Sequence, residues 1–210
     1  MGPEKRLLGG EAQTFPLIPS KAGIQSCHGP PLRIRVPAFA GMSGGGEALA
    51  SPGRFRYIRS MTEILFYHLQ SRSLEAVLPQ LVEKSLEKSW RVVIQGVTRE
   101  RLAALDERLW TYDEASFLPH ATDEDGDPAA HPVLLTTGSG NPNGASVRFL
   151  VEGAPVPQDA QSYARIVLIF DGNDPEAVEV ARASWRDVKA SGVETTYWRQ
   201  NDAGRWEKQG

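Results

Sequence analysis

From Met61 onward the apolar positions fall into two repeating patterns, and before it they fall into neither. Ile64–Leu69 is a short aromatic-rich run, the mark of a buried strand. Ser73 stands where an N-cap belongs, and Leu74, Val77, Leu78, Leu81, Val82 and Leu86 then follow the 3–4 spacing of one helix face, through about Lys88. Trp90–Gln95 is a second strand ended by Gly96. Thr98 opens a second helix with Leu102, Leu105 and Leu109 inward and Trp110 at its end. Strand, helix, strand, helix at these lengths predicts right-handed βαβ units and a largely parallel sheet.

A long connection follows, from Tyr112 to Ala130, and then two strands, Pro132–Thr136 and Val147–Val151, around a Gly/Asn-rich loop. Arg165–Phe170 is the most apolar run and the candidate central strand. Asp174-Pro175-Glu176 combines a capping Asp, a Pro at the first helical position and a Glu at the positive end of the helix dipole. The helix it starts runs to about Ser191, and Gly192 stops it. Glu194–Gln200 is a last strand, and the turn 201–204 leads into Arg205-Trp206-Glu207. The expected fold is α/β, a single three-layer domain of about 150 residues around a largely parallel central sheet.

Composition sharpens the boundary at Met61. Residues 1–60 hold 10 of the 20 Gly and 7 of the 15 Pro of the 210-residue chain, together with its one cysteine, Cys27. They carry eight Lys/Arg against three acids, a net of +5, so the formal −3 of the whole chain leaves −8 on residues 61–210. Runs such as Gly41-Met42-Ser43-Gly44-Gly45-Gly46 have no structural period and read as a disordered leader. A secretory signal would need a continuous apolar segment with a small-residue cleavage site, and none is visible. Met61 reads as the functional start, with residues 1–60 an upstream extension, as from a misassigned start codon. A mean hydropathy of −0.34 and the lack of an apolar run near the ~20 residues of a spanning helix argue against a membrane-spanning chain. One cysteine excludes a disulfide framework.

Familiar catalytic patterns fail one by one. The connection from first strand to first helix, His68-Leu69-Gln70-Ser71-Arg72-Ser73, has no glycine and no Lys-Ser/Thr pair, so the nucleotide-binding-like topology lacks its phosphate loop. Gly138-Ser139-Gly140-Asn141-Pro142-Asn143-Gly144 has its third Gly one residue late for a dinucleotide fingerprint, and a strand follows where a helix should. Asp123, Asp125 and Asp127 imitate the start of a calcium loop whose twelfth position would be Leu134. His68, His120 and His131 have no metal-ligand spacing, and no Gly-x-Ser-x-Gly organises a serine nucleophile. No cofactor and no metal are expected. An enzyme reading remains as the alternative, a nucleotide-dependent hydrolase with Asp171 or Asp174 at the C-terminal edge of the sheet.

Two features are not plain core. On the last helix Ala177, Ala181, Ser184 and Val188 share one side, and Val178, Arg182, Trp185 and Lys189 form the neighbouring stripe with Arg186 beside it. That stripe is either a half-buried Trp among solvated cations near a helix C-terminus, or an apolar anchor with charged donors for the carboxylates of an acidic ligand. The second is the segment around Trp110, Tyr112, Phe117, Leu118 and Pro119. It either tucks back on the sheet or presents an apolar patch to a protein partner.

From Met61 to the end the chain resembles the chi subunit of bacterial DNA polymerase III holoenzyme, a clamp-loader accessory. The residues that carry the resemblance are Ile64–Leu69, Leu105-Asp106-Glu107-Arg108-Leu109-Trp110 followed by Ser116-Phe117-Leu118-Pro119-His120, Ile169-Phe170-Asp171-Gly172, Ala181-Arg182-Ala183-Ser184-Trp185-Arg186, Gly192 and Tyr197-Trp198. The resemblance implies a non-catalytic, cytoplasmic, nucleoid-associated interaction module with two surfaces. One would bind the acidic C-terminal tail of single-stranded DNA-binding protein (SSB), which ends in Pro-Phe, on Val178, Arg182, Trp185, Arg186 and Lys189. Trp185 stands for the family's more usual Tyr, and Val178 stands where some members carry a basic residue. The other, at Trp110, Phe117, Leu118 and Pro119, would meet psi or another clamp-loader subunit. DNA would be reached only indirectly, and a membrane not at all.

Overall fold

Seven strand pairings among the described residues join eight strands into one sheet, and six of the seven are parallel. The computed structural model describes residues 62–209; the expected leader and the start at Met61 lie outside them. The strands are β1 (Glu63–Leu69), β2 (Val92–Gln95), β3 (His120–Thr122), β4 (Val133–Thr136), β5 (Val147–Val151), β6 (Arg165–Asp171), β7 (Glu194–Gln200) and β8 (Trp206–Lys208). The helices are α1 (Leu74–Glu87), α2 (Arg99–Thr111) and α3 (Pro175–Ala190). Across the sheet the order is β3-β4-β2-β5-β6-β1-β7-β8, with β8 antiparallel to β7.

Because side chains alternate along a strand, each central strand feeds two cores. Leu65, Tyr67 and Leu69 of β1 join Val167 and Ile169 of β6 and the inward faces of α1 and α2. Ile64 and Phe66 join Ile166, Leu168 and Phe170 beneath Ala181 and Val188 of α3. Burial on both faces is what makes these strands near-continuous apolar runs, and β6 does lie between β5 and β1 at mid-sheet. The result is the expected three-layer α/β fold.

The layer containing α3 is a helix on only half the sheet. α3 packs on β6, β1 and β7. Over β2, β4 and β5 the cover is irregular chain around Ala145, Ala154 and Tyr163. That cover is fixed by Arg148 of β5, which is fully buried. Its guanidinium donates to the carbonyls of Gly138 (2.5 Å) and Gly140 (2.8 Å), to Gln95 Oε1 (2.9 Å) and to the Tyr163 hydroxyl (2.6 Å). The Gly-rich loop thus turns carbonyls toward a cation, the opposite polarity to the backbone N–H groups that hold a phosphate.

Four local expectations differ from what is observed, the first being that Glu194–Gln200 is not the last strand, since β8 follows it and pairs with it. The long connection after α2 contains β3, a three-residue edge strand held parallel to β4. Three residues are too few for a periodic signal, and only the pairing defines the strand. Ser73 occupies the cap position of α1, but its hydroxyl makes no capping bond, whereas Thr98 and Asp174 cap α2 and α3 with their side chains. Trp90 lies outside β2, which begins at Val92.

Candidate functional site

Parallel register sets the α3 face of the sheet in rows. Leu168, Phe66 and Tyr197 are partners across β6, β1 and β7, and so are Phe170, His68 and Arg199 one step nearer the C-terminal edge. α3 lies against this end, and its Trp185 enters between the rows. The Trp185 ring meets Phe66 edge-on at 5.0 Å between centroids and Tyr197 at 5.7 Å, with Lys189 Nζ 5.1 Å above it. Trp185 is half-buried, a wall whose inner edge is core and whose outer surface is available.

Around that wall the cations are exposed. Arg182 has a 3.6 Å ion pair with Glu179 one turn back, with both side chains about two-thirds exposed or more (69% and 73%), and Arg186 donates to the Arg182 carbonyl. Exposed i,i+3 pairs of this kind contribute little and exchange readily. Val178 is half-buried and packs on the core beside the helix, so of the five stripe residues it offers the least to a ligand.

Behind Trp185 is a cluster that periodicity did not flag. His68 stacks on Phe170 at 5.0 Å, and its Nδ1 is 2.7 Å from the Tyr197 hydroxyl. Its Nε2 is buried with no hydrogen-bond partner. Burial first, then the charge of Arg199, hold the His68 imidazole below its ordinary value, with Asp171 opposing and Arg182 adding a smaller push. Burial raises the Tyr197 phenol, against Arg199 and Arg182. Gly172 is what lets the ring sit there: a Cβ on it would stand 1.7 Å from His68 Nε2 and 2.7 Å from the Leu69 carbonyl.

A cleft of about 620 Å³ opens at the same sheet edge, lined among others by Leu69, Ile169, Ser73, Arg101, Asp171 and Asp174. This is the crevice in which doubly wound sheets hold nucleotides. Here its groups are committed. Asp174 accepts from Glu176 N and Asp171 from Asn173 N, both as local caps, while Arg101 is clamped to Glu152 and Glu75. The amides of Gln70, Ser71 and Arg72, which would face a phosphate, all point at Gln200 Oε1 (3.1–3.4 Å). Among the described residues no group of three His, Cys, Asp or Glu is arranged to hold a metal.

The second candidate surface is at the opposite edge. Trp110 and Phe117 are 54% and 68% exposed with ring centroids 5.7 Å apart. Trp110 also rests on the buried His120 ring at 4.7 Å. His120 Nδ1 is 2.6 Å from the Leu118 carbonyl and its Nε2 is 3.3 Å from Asp106 Oδ1, so it ties the segment to α2. Part of this segment tucks back on the core and part of it is exposed. Phe117 and Trp110 face out and Pro119 is half-buried, but Leu118 is 3% exposed and packed in the α1/α2 core. Its alternation with Phe117 across an extended backbone sends it inward, which removes it from the contact surface.

The chain is similar in sequence to known proteins. The family model for the DNA polymerase III chi subunit, HolC, matches residues 61–196. A protein of Rickettsia prowazekii (strain Madrid E), described as probable DNA polymerase III subunit chi, is 28% identical over 120 residues, 54% of this chain and 73% of the relative. The match begins at the residue where the regular pattern begins and runs through α3 into β7, so that the basic stripe and the Trp110–Phe117 patch fall within it, whereas Tyr197, Arg199 and Gln200 of the sheet edge lie just beyond its end. The chain belongs to the chi-subunit family of DNA polymerase III.

Proposed function

We propose that this DNA polymerase III accessory subunit is a non-catalytic bridge, holding the acidic C-terminal tail of SSB on α3 and psi or another clamp-loader subunit on the Trp110–Phe117 surface. The observation that carries the first half is Trp185, wedged edge-on against Phe66 and Tyr197 while Arg182, Arg186 and Lys189 stand exposed around it. An acidic peptide ending in an aromatic residue requires a flat apolar wall beside several cations, on a domain whose formal −8 repels it elsewhere. Contacts of this number and exposure correspond to roughly micromolar affinity, about −8 kcal/mol, weakened by salt. Many identical tails along a coated strand raise the hold by ~10²–10⁴ through avidity. Such a module works in the cytoplasm at the nucleoid and reaches DNA only through SSB. No helix among the described residues is long and apolar enough to cross a membrane.

Titration of a fluorescent SSB-tail peptide tests the reading. Arg182→Ala is expected to lose ~1–3 kcal/mol of binding, the range for a hydrogen-bonded charged contact, and Arg182→Glu more. Unchanged binding in both variants removes the stripe from the assignment. The cleft with Asp171 and Asp174 is the feature that favours the hydrolase alternative. Gln200 opposes it by occupying the loop amides, and calorimetry with ATP and Mg²⁺ decides: heat of binding or turnover would overturn the non-catalytic reading.

A further inference from the structure

The cluster behind Trp185 is organised as a donor chain. His68 Nε2 is buried and unpartnered, pressed against Gly172. An N–H at that position would be an orphan donor, which costs more than an orphan ring lone pair with no proton to place. The tautomer that satisfies the ring carries its proton on Nδ1 and donates it to Tyr197 Oη, 2.7 Å away. The Tyr197 hydroxyl is then filled as an acceptor and keeps its own proton to give away.

Two guanidiniums from different elements act electrostatically on this His–Tyr pair. Arg199 is the registered partner of His68 on β7, and Arg182 comes from α3; both charges act on the His68 ring and on the Tyr197 phenol. Arg199 is held through Nε, which donates to the neutral Gln70 amide at 2.8 Å, so both terminal nitrogens remain in its fork. The opposing carboxylate nearby, Asp171, is turned to Asn173, accepting from its backbone N (2.8 Å) and its Nδ2 (3.1 Å). Tyr197 also touches Trp185, so an anion at the hydroxyl has an apolar wall within one residue's reach.

We propose that Tyr197, Arg199 and Arg182 form a carboxylate seat at the C-terminal edge of the sheet, with Tyr197 donating its hydroxyl proton to a peptide carboxylate whose apolar neighbour rests on Trp185. The seat rests on the acidic-peptide reading and adds to it two residues on β7, off the helix stripe. The carboxylate is either the peptide's terminal group or an acidic side chain.

The test titrates the full chain with an acidic ten-residue peptide ending in Phe, as free acid and as C-terminal amide, at low and moderate salt. Tyr197→Phe removes one oxygen, and Arg199→Gln changes an exposed side chain. The expected result on the free acid is ~5–10-fold weaker binding for each variant, with a shallower salt dependence for Arg199→Gln. If the terminal group fills the seat, the amide binds weakly to wild type and the Tyr197→Phe loss disappears on it. If a side chain fills it, both peptides lose equally, and either pattern supports the seat. Wild-type affinity in both variants overturns the seat and leaves the stripe standing. Failure of the wild type to bind either peptide sinks the acidic-peptide reading, and the seat with it.

Discussion

Trp185 packs against the core and, in the function proposed above, also recognises the peptide, and the two contributions can be separated. Removing its ring by Trp185→Ala takes away the edge-on contact to Phe66 at 5.0 Å, the perpendicular contact to Tyr197 at 5.7 Å and the Lys189 ammonium above the ring. Complete truncation of a fully buried aromatic costs about 3–5 kcal/mol. Trp185 is half-buried, with one edge in the core, so roughly half of that, about 2 kcal/mol, falls on stability. In a domain of this size about 2 kcal/mol lowers the melting midpoint by ~4–8 °C. The domain remains folded at the assay temperature, and the loss of the wall then appears separately as a further ~1–3 kcal/mol of weakened peptide binding.

Trp185→Tyr distinguishes the two effects. A phenol keeps the edge against Phe66 and a flat outer face, so stability is expected within about 1 kcal/mol of wild type and affinity within a few-fold. Thermal unfolding followed by circular dichroism gives the first quantity, and anisotropy with labelled tail peptide gives the second. The reasoning fails if Trp185→Ala leaves the midpoint unchanged to within a degree, since the ring would then not be the inner wall described. It fails equally if Trp185→Ala melts early yet binds peptide as wild type, since the outer face would then have no part in recognition.

Three further outcomes follow from the same edge. Gln200→Leu leaves the amides of residues 70–72 without their acceptor, at a cost of about 2–3 kcal/mol in denaturant unfolding, whereas Gln200→Glu keeps the acceptor oxygens and most of the stability. Equal unfolding of the Leu variant and wild type would mean water replaces the amide at no cost. Gly172→Ala forces the His68 ring and the Leu69 carbonyl away from the new Cβ, costing about 1–3 kcal/mol and weakening tail binding through displaced Tyr197; an intact peptide affinity would contradict the donor chain. His68 is held below the ordinary imidazole value of 6.5, so the unfolded chain takes up that proton first. Its contribution is complete above pH 6.5 and declines as pH falls through that value toward the lower native one. Melting curves between pH 8 and 5.5 should therefore diverge less for His68→Gln than for wild type, and parallel pH profiles would refute the assignment.

The sequence makes the layers legible for a simple reason: strands buried on both faces and helices with one buried face leave periodic traces. Every helix and six of the eight strands follow from such traces; β3 and β8, three residues each, do not, because pairing with β4 and β7, not composition, makes them strands. The stripe on α3 is equally visible, because residues 178 to 189 are neighbours on one helix and spacing alone brings them together. Arg199, Tyr197 and His68 come from strands 129 residues apart in sequence, and only the β1–β7 register sets them in one cluster. Arg148 reads in sequence as one charge in an apolar strand; that it binds two loop carbonyls follows from where the chain returns. What resists reading is therefore not the chemistry of single residues but their juxtaposition across the sheet.

That juxtaposition also bears on the proposed bridging of two partners. The Trp185 surface is built by α3 over β6, β1 and β7, whereas Trp110 near the end of α2 and Phe117 in the connection after it lie on the other face, beside β3 at the far edge of the sheet. Four strands, β4, β2, β5 and β6, lie between β3 and β1. At about 4.8 Å per strand the two surfaces are separated by roughly 20 Å of packed sheet as well as by its thickness. A peptide on one and a folded subunit on the other can therefore be held together without steric conflict. The central strands are fully buried and close-packed, and they offer no two-state element through which occupancy of one surface would change affinity at the other. Tail affinity should then be the same with and without the second partner, and cooperation between SSB and the clamp loader should be a matter of tethering and effective concentration alone.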